Sequence, residues 1–262
     1  MIHSMAHLRQ NASCAVLIVS CDRYRDLWDP CITLFRRFWA DCPYPVYLLS
    51  NTVEAQYEGI RPITVGSDIS WSDNLLAALA IIPEDYVLLW IEDLFLIRPV
   101  ESEKIRELIE WAIRNHINYL RLNPTPGPDI PLNQDIGQIS KGTVYRASVV
   151  FSVWKKSLLS SLLRPGENAW EFEDKGTERT DSADAFYASS KQLIPACNTV
   201  IKGVWEKSAL GIIRRLGIEP DLNVRRVMNR KESIIWKLKL IRSRIFFLLP
   251  SSYRRKIRSF FS

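Results

Sequence analysis

The 262-residue sequence predicts an α/β domain, a mostly parallel sheet flanked by helices, with a basic amphipathic helical extension at its C-terminus. Three observations carry that expectation. Short apolar runs alternate with helix-like stretches through the first half, as βαβ units require. The composition, 47% hydrophobic and 24% charged with nine Trp, rules out disorder as the dominant state. Charge is unevenly spread: residues 225–262 hold twelve Lys or Arg against the single acid Glu232, a local charge of +11. The formal total of +6 therefore leaves −5 on residues 1–224, so body and extension need separate partners. The expected organisation is a loose tail over 1–12, the α/β domain over 13–224 and the extension over 225–262.

Residues 15–20 (AVLIVS) are a continuous apolar run ending in a polar residue, as in a buried parallel strand. Asp29-Pro30 reads as an N-cap followed by proline at the first helical position, opening a helix to Phe38 or Trp39. Residues 46–49 make a second strand and 63–65 a third. Ser70 or Ser72 caps a helix over 75–82. Tyr86–Ile91 is the strongest strand and runs straight into Glu92-Asp93; a helix over about 101–115 follows. The second half is less regular, with strands expected at 119–122 and 144–153 around the Pro/Gly-rich loop 123–135. Helices are expected at 155–163, 182–190 and 206–216.

In the extension, residues 231–250 read as a helix stopped by Pro250, with a second basic-aromatic stretch beyond it. Ile234, Leu238, Ile241, Ile245 and Leu248 recur on one face, with Lys237, Lys239, Arg242 and Arg244 mostly elsewhere. Such a helix suits an anionic membrane surface. Docking on the body or on another subunit is the competing reading. No nucleic-acid motif accompanies the basic charge, so nucleic acid is not expected as a partner.

Several classes are excluded. Five Cys (14, 21, 31, 42 and 197), an odd and sparse set without a CxxC pair, do not make a disulfide scaffold; they read as small buried hydrophobes in a reducing compartment. Three His cannot build a zinc site by themselves. The longest apolar run, residues 75–82, has eight residues, far short of a membrane span, and the N-terminus lacks the apolar centre of a secretory signal. The expected location is cytoplasmic, peripheral on the inner face of the cytoplasmic membrane.

Ligands of open parallel sheets sit beyond the carboxyl ends of the strands, which points to residues 20–24, Ser50-Asn51 and Glu92-Asp93. No GxGxxG and no GxxxxGK[ST] occurs there, so a dinucleotide fold or P-loop is disfavoured. A diphosphate would need another charge partner, and a divalent cation on carboxylates is the obvious one. Glu92-Asp93 supplies two carboxylates, or merely caps the next turn. A second acidic cluster, Asn168-Ala-Trp-Glu-Phe-Glu-Asp, sets Glu171, Glu173 and Asp174 beside Trp170 and Phe172, whose surfaces can desolvate a carboxylate and face a sugar ring. Asp22 and Asn51 are candidates to hydrogen-bond a nucleotide base and Tyr24 to stack on it. Trp71 precedes a helix on the ligand side. Lys202, beside Gly203, is a candidate diphosphate partner, and Arg146 another; each reads equally as structural or solvated.

The stretches AVLIVSCDRY, VYLLSN and WSDNLLAALAIIPEDYVLLWIEDLFLIRPV resemble the GT-A-type nucleotide-sugar glycosyltransferases, in particular bacterial enzymes that build surface polysaccharides such as lipopolysaccharide and capsule. YRASVVFSVWKKSLLSSLL, ENAWEFEDKGTER and VIKGVW are similar to later parts of that group, so the resemblance spans about residues 14–217. It implies a GT-A-like, Rossmann-like fold and transfer of a hexose or N-acetylhexosamine from a nucleotide sugar, UDP-linked, to a growing surface glycan; the candidate base favours inversion over retention, and the basic extension fits a lipid-linked acceptor. It implies Mn²⁺ or Mg²⁺ on Asp93, with Glu92 as its partner toward metal or sugar, and a base at Glu173 or, failing that, Glu171. The chain departs from the family's Asp-x-Asp, carrying Ile91-Glu92-Asp93, and has no His after His116. Two rivals stay open: a glycoside hydrolase with two carboxylates, and a degenerate transferase fold acting as a membrane-surface assembly module.

Overall fold

The computed structural model describes residues 13–249 together with 253 and 254. The expected tail 1–12 and most of the stretch after Pro250 lie outside the described residues. Thirteen strands run in chain order: β1 (Cys14–Val19), β2 (Val46–Ser50), β3 (Ile60–Thr64), β4 (Tyr86–Ile91), β5 (Leu94–Leu96), β6 (Tyr119–Arg121), β7 (Ile130–Pro131), β8 (Ile136–Gln138), β9 (Ser152–Lys155), β10 (Phe186–Ser189), β11 (Ala196–Asn198), β12 (Val200–Ile201) and β13 (Val204–Trp205). The helices are α1 (Trp28–Phe38), α2 (Trp71–Ile81), α3 (Ser102–Arg114), α4 (Lys156–Leu162), α5 (Ala169–Arg179), α6 (Lys207–Arg215) and α7 (Arg230–Leu248).

Nine strands form the central sheet, in the order β3-β2-β1-β4-β9-β6-β10-β8-β7. The ladders β3/β2, β2/β1, β1/β4 and β6/β10 are parallel. Since β9 is antiparallel to both β4 and β6, the strands on either side of it share one direction. Only β8 and β9 run against the rest, so the sheet is mostly parallel and helices cover both faces. Period-two alternation divides the core. Val16, Ile18, Leu88 and Trp90 face α1 and α3, while Leu17, Leu49, Val87 and Leu89 face α2, α4 and α5. A third cluster joins Leu27, Cys31 and Leu34 to Trp205, Leu210 and Ile213, fastening the β12–β13 hairpin and α6 to the outside of α1.

Four segments differ from expectation. A 3-10 turn over Asp22–Leu27 hands directly into α1, so Asp29 lies inside the first turn instead of capping it. Residues 182–190 are not helical: Ala185 has φ 59, which breaks a helix, and Phe186–Ser189 pairs with β6 and β8. The expected strand 144–153 shrinks to β9. Tyr145 and Phe151 have φ 57 and 47, and the N–H groups of Ala147 and Val149 bond to side chains of α5 instead of a neighbouring strand. Residues 169–179, given no element by the sequence reading, are helix α5, opened by a reciprocal capping box between Asn168 and Glu171.

The extension leaves the body later than its charge suggests. Val227 bridges to Trp205, Met228 is buried and donates to the Trp205 carbonyl, and α7 starts at Arg230 behind a capping box of Asn229 and Glu232. The apolar face expected on α7 is present and open, from 53% exposure at Ile241 to 85% at Leu248. A second apolar stripe through Trp236, Leu240 and Phe247 lies on the opposite side at 100° per residue. There the Phe247 ring meets Tyr145 of the body at 6.0 Å. α7 thus carries two apolar stripes separated by cations, one leaning on the body and one facing out.

Candidate functional site

A cleft of about 530 Å³ opens beyond the carboxyl ends of β1 and β4, where a parallel sheet places its ligands. Residues from six segments line it: the turn after β1, the start of α2 with the loop before it, the β4–β5 turn, the β8–β9 loop at Val149 and Val150, the start of α5, and Asn198 of β11. Glu92, Asp93 and Glu173 all face it.

Glu92 and Asp93 form the tight reversal from β4 into β5. The Trp90 indole donates to the Leu94 carbonyl across it (3.0 Å), and Thr199 donates both its N–H (2.9 Å) and its hydroxyl (2.8 Å) to the Asp93 carbonyl. The turn thus sets a buried Glu92 next to a half-buried Asp93. Burial drives the Glu92 carboxyl well above its ordinary range and the neighbouring Asp93 charge drives it further. Burial likewise pushes Asp93 up to about 7, against the opposing pull of its own backbone N–H and of Arg225.

Glu173 is held from the opposite wall. Its Oε1 accepts the Ser148 hydroxyl (2.9 Å) and the Val149 N–H (2.9 Å), both from the loop between β8 and β9. Burial raises its proton affinity, while these two donors and the Arg121 guanidinium oppose the rise. A carboxyl raised by desolvation yet held in place by fixed donors has the character of a general base.

Tyr24 and Trp71 also line the cleft. Arg225 covers one face of the Tyr24 ring at 4.1 Å, itself fixed by two bonds to Asp26 (2.6 and 2.9 Å) and one to the Arg23 carbonyl (2.8 Å). Trp71 packs on Phe172 at 5.7 Å with one edge toward the cleft. Against the four acids Asp68, Glu92, Asp93 and Glu173, the lining carries one cation, Arg23.

No family model and no curated protein sequence matches the chain. Solved structures do resemble it. TarS 1–349 of S. aureus aligns at 12% identity and a TM-score of 0.45, over 67% of this chain and 60% of that one. UTP-bound UGPase of Acinetobacter baumannii aligns at 12% identity and 0.47, over 88% and 99%. Glucosyl-3-phosphoglycerate synthase of Mycobacterium tuberculosis, in complex with Mn²⁺ and UDP-glucose, aligns at 14% identity and 0.45, over 84% and 81%. The chain thus spans under two thirds of the length of the TarS structure it matches.

Other candidates lie outside the cleft lining. The Asp22 carboxylate accepts the N–H groups of Asn51 (2.9 Å), Thr52 (2.9 Å) and Val53, and Asn51 Oδ1 accepts the Asp22 N–H (3.1 Å). The pair clamps the loops after β1 and β2 together, leaving the buried Asn51 Nδ2 without a partner. Lys202 sits in the exposed β12–β13 turn. Arg146 is buried over the Phe186 ring, with its guanidinium directed at the carbonyls of Thr180, Ala183 and Ile139. Glu171 is committed to the Asn168 capping box and to Lys175, and both partners lower its proton affinity, the wrong direction for a base. Glu171→Ala should therefore lower stability slightly through the lost half of the capping box, read by denaturant melts, while donor turnover stays near wild type.

Arg23 and the Ser148–Val149 donors were not singled out from sequence. Arg23 falls inside the window after β1 that the strand-end rule marks. The donors were hidden by the strand expected across 144–153.

Proposed function

We propose that the protein is a glycosyltransferase that moves a hexose or N-acetylhexosamine from a UDP-linked nucleotide sugar to a growing surface glycan, with inversion. The observation that carries this reading is the convergence of Glu92-Asp93 and Glu173, remote in the chain, on one cleft at the strand ends. The acceptor hydroxyl oxygen attacks the anomeric carbon, and its proton passes to Glu173. The bond from that carbon to the diphosphate oxygen breaks, and its electron pair leaves with the nucleoside diphosphate. Arg23, the one cation of the lining, would meet the charge that develops there.

Glu92 and Asp93 fit a hard divalent cation, because neighbouring carboxyls that burial and mutual repulsion hold toward the protonated form would be relieved by a positive charge. Among the described residues no third Asp, Glu, His or Cys joins them. Mn²⁺ or Mg²⁺ would therefore take its remaining ligands from the diphosphate and water, and would supply neutralisation of diphosphate charge. A lining of four acids and one cation repels a bare diphosphate. UDP should accordingly bind in calorimetry with Mn²⁺ and not with EDTA, and a screen of UDP-sugars should find one that is slowly hydrolysed. Failure of UDP to bind, with cleavage of aryl glycosides instead, would replace the transferase with a hydrolase. Unchanged polysaccharide assembly in both D93A and E173A would favour the non-catalytic assembly module.

The acceptor is taken to be lipid-linked and the enzyme to work at the inner face of the cytoplasmic membrane. Support comes from the outward stripe of α7, Ile234 to Leu248, flanked by Lys237, Lys239, Arg242 and Arg244. Among the described residues no helix is long and apolar enough to cross a membrane. Deleting residues 231–262 should move the protein from anionic liposomes to the supernatant, with the intact chain released by salt. Equal sedimentation of both forms would remove the membrane from this reading.

A further inference from the structure

Eight of the nine Trp residues are buried or partly covered; Trp170 alone is exposed, at 72%. Leu248 of α7 aside, Trp170 and Ile69 (75%) are the most exposed large hydrophobics among the described residues. Both line the cleft that holds Glu173, Ile69 from the loop before α2 and Trp170 from the first turn of α5. Scattered exposed apolar residues need no explanation, but the two largest exposures outside α7 among the described residues, lining one cleft, do. Phe172, by contrast, is wholly buried against Trp71 and Trp154, so of the two aromatics in that segment only Trp170 is available to a ligand.

The position of Trp170 relative to the base names the ligand. Residues 170 and 173 are three apart on one helix, hence neighbours on one face about 4.5 Å apart along the axis. A ligand that offers its hydroxyl to Glu173 therefore has this ring within one turn of the same helix. A pyranose is matched to such surroundings: its axial C–H groups form an apolar face that lies on an aromatic plane, while its hydroxyls point outward to acids and amides. Among the other lining residues of the same cleft are the polar groups of Asp68, Asn198 and Glu173. We propose that Trp170, with Ile69 on the facing rim, forms a saccharide subsite that stacks the acceptor's terminal pyranose and presents its hydroxyl to Glu173.

The inference deepens the transferase reading and rests on it for the acceptor role, but the two fail separately. The test is saturation-transfer NMR on the full chain with methyl β-glucopyranoside, methyl N-acetyl-β-glucosaminide and octyl β-glucopyranoside. Saturation should concentrate on the axial ring protons. It should weaken with a rise in Kd of about tenfold in W170A and W170L, and survive in part in W170F. W170L keeps apolar bulk without the plane, so it guards against misreading a folding defect in W170A. Equal saturation in W170L and wild type, or no glycoside bound by the wild type, overturns the subsite. Saturation confined to the octyl chain would make the rim a lipid contact. Conversion of a dimer to a monomer by W170A, with glycoside contact unchanged, would make it a subunit interface. Donor turnover by the wild-type protein reports separately on the transferase reading.

Discussion

Glu173→Gln should lower glycosyl transfer by about 10²- to 10⁴-fold while leaving the protein folded. Gln keeps the length and an oxygen that accepts the Val149 N–H and the Ser148 hydroxyl, so the wall of the cleft is retained and only the basic lone pair is lost. The pH profile makes the expectation sharper. Burial raises the Glu173 carboxyl above its ordinary value, so wild-type kcat/KM should climb with pH along a limb displaced above the usual carboxylate range. That limb should vanish in E173Q. The sign for stability is opposite to that of an ion-paired acid: a carboxyl raised in the folded state favours folding while protonated, and that contribution is lost as pH rises through its folded value. E173Q should therefore melt no lower than wild type at pH 8. A variant that retains full transfer, or a wild-type limb that persists in E173Q, would take the base role from this residue.

The parallel half of the fold is legible because its strands are buried on both faces. Residues 15–20 and 86–91 need no partner information to read as strands, since uninterrupted aliphatic runs of that length fit little else between capped helices. Glu92-Asp93 is visible for the same reason, two acids directly after such a run. The second half hides its structure in long-range pairing. Residues 186–189 are a strand only because β6 and β8 lie on either side, which no local pattern announces. The ambiguity between Glu171 and Glu173 was resolvable locally. Asn168-x-x-Glu171 is a capping-box pattern; reading it as one assigns Glu171 to the helix end and leaves Glu173 one turn along from Trp170. What no local pattern shows is the loop that holds Glu173. Residues 144–151 are apolar enough to suggest a strand, but Tyr145 and Phe151 take positive φ values, and the N–H groups of Ala147 and Val149 go to Thr177 and Glu173 of α5.

Asp93→Asn should abolish metal-dependent donor binding and at the same time raise stability at neutral pH. The folded state holds the Asp93 proton to about 7, whereas the unfolded chain releases it near 3.8. Between those values the folded state binds more protons, so the contribution of this carboxyl to stability falls as pH rises and is lost above about 7. Its removal is worth on the order of a few kcal/mol, and it also relieves Glu92, whose proton affinity the Asp93 charge raises. D93N should thus melt above wild type at pH 8 and level with it near pH 4. Mn²⁺ offers the wild-type protein the same relief by another route: it should raise the wild-type Tm at pH 8 and leave D93N unmoved. The two measurements separate a site shaped by its cation from an accidental pair of acids. If D93N gains no stability at pH 8, the carboxyls are not the strained pair that the β4–β5 turn places together. If Mn²⁺ stabilises both forms equally, the ion binds elsewhere. A gain in stability with a loss of donor binding is the signature expected of groups kept for chemistry at a cost to the fold.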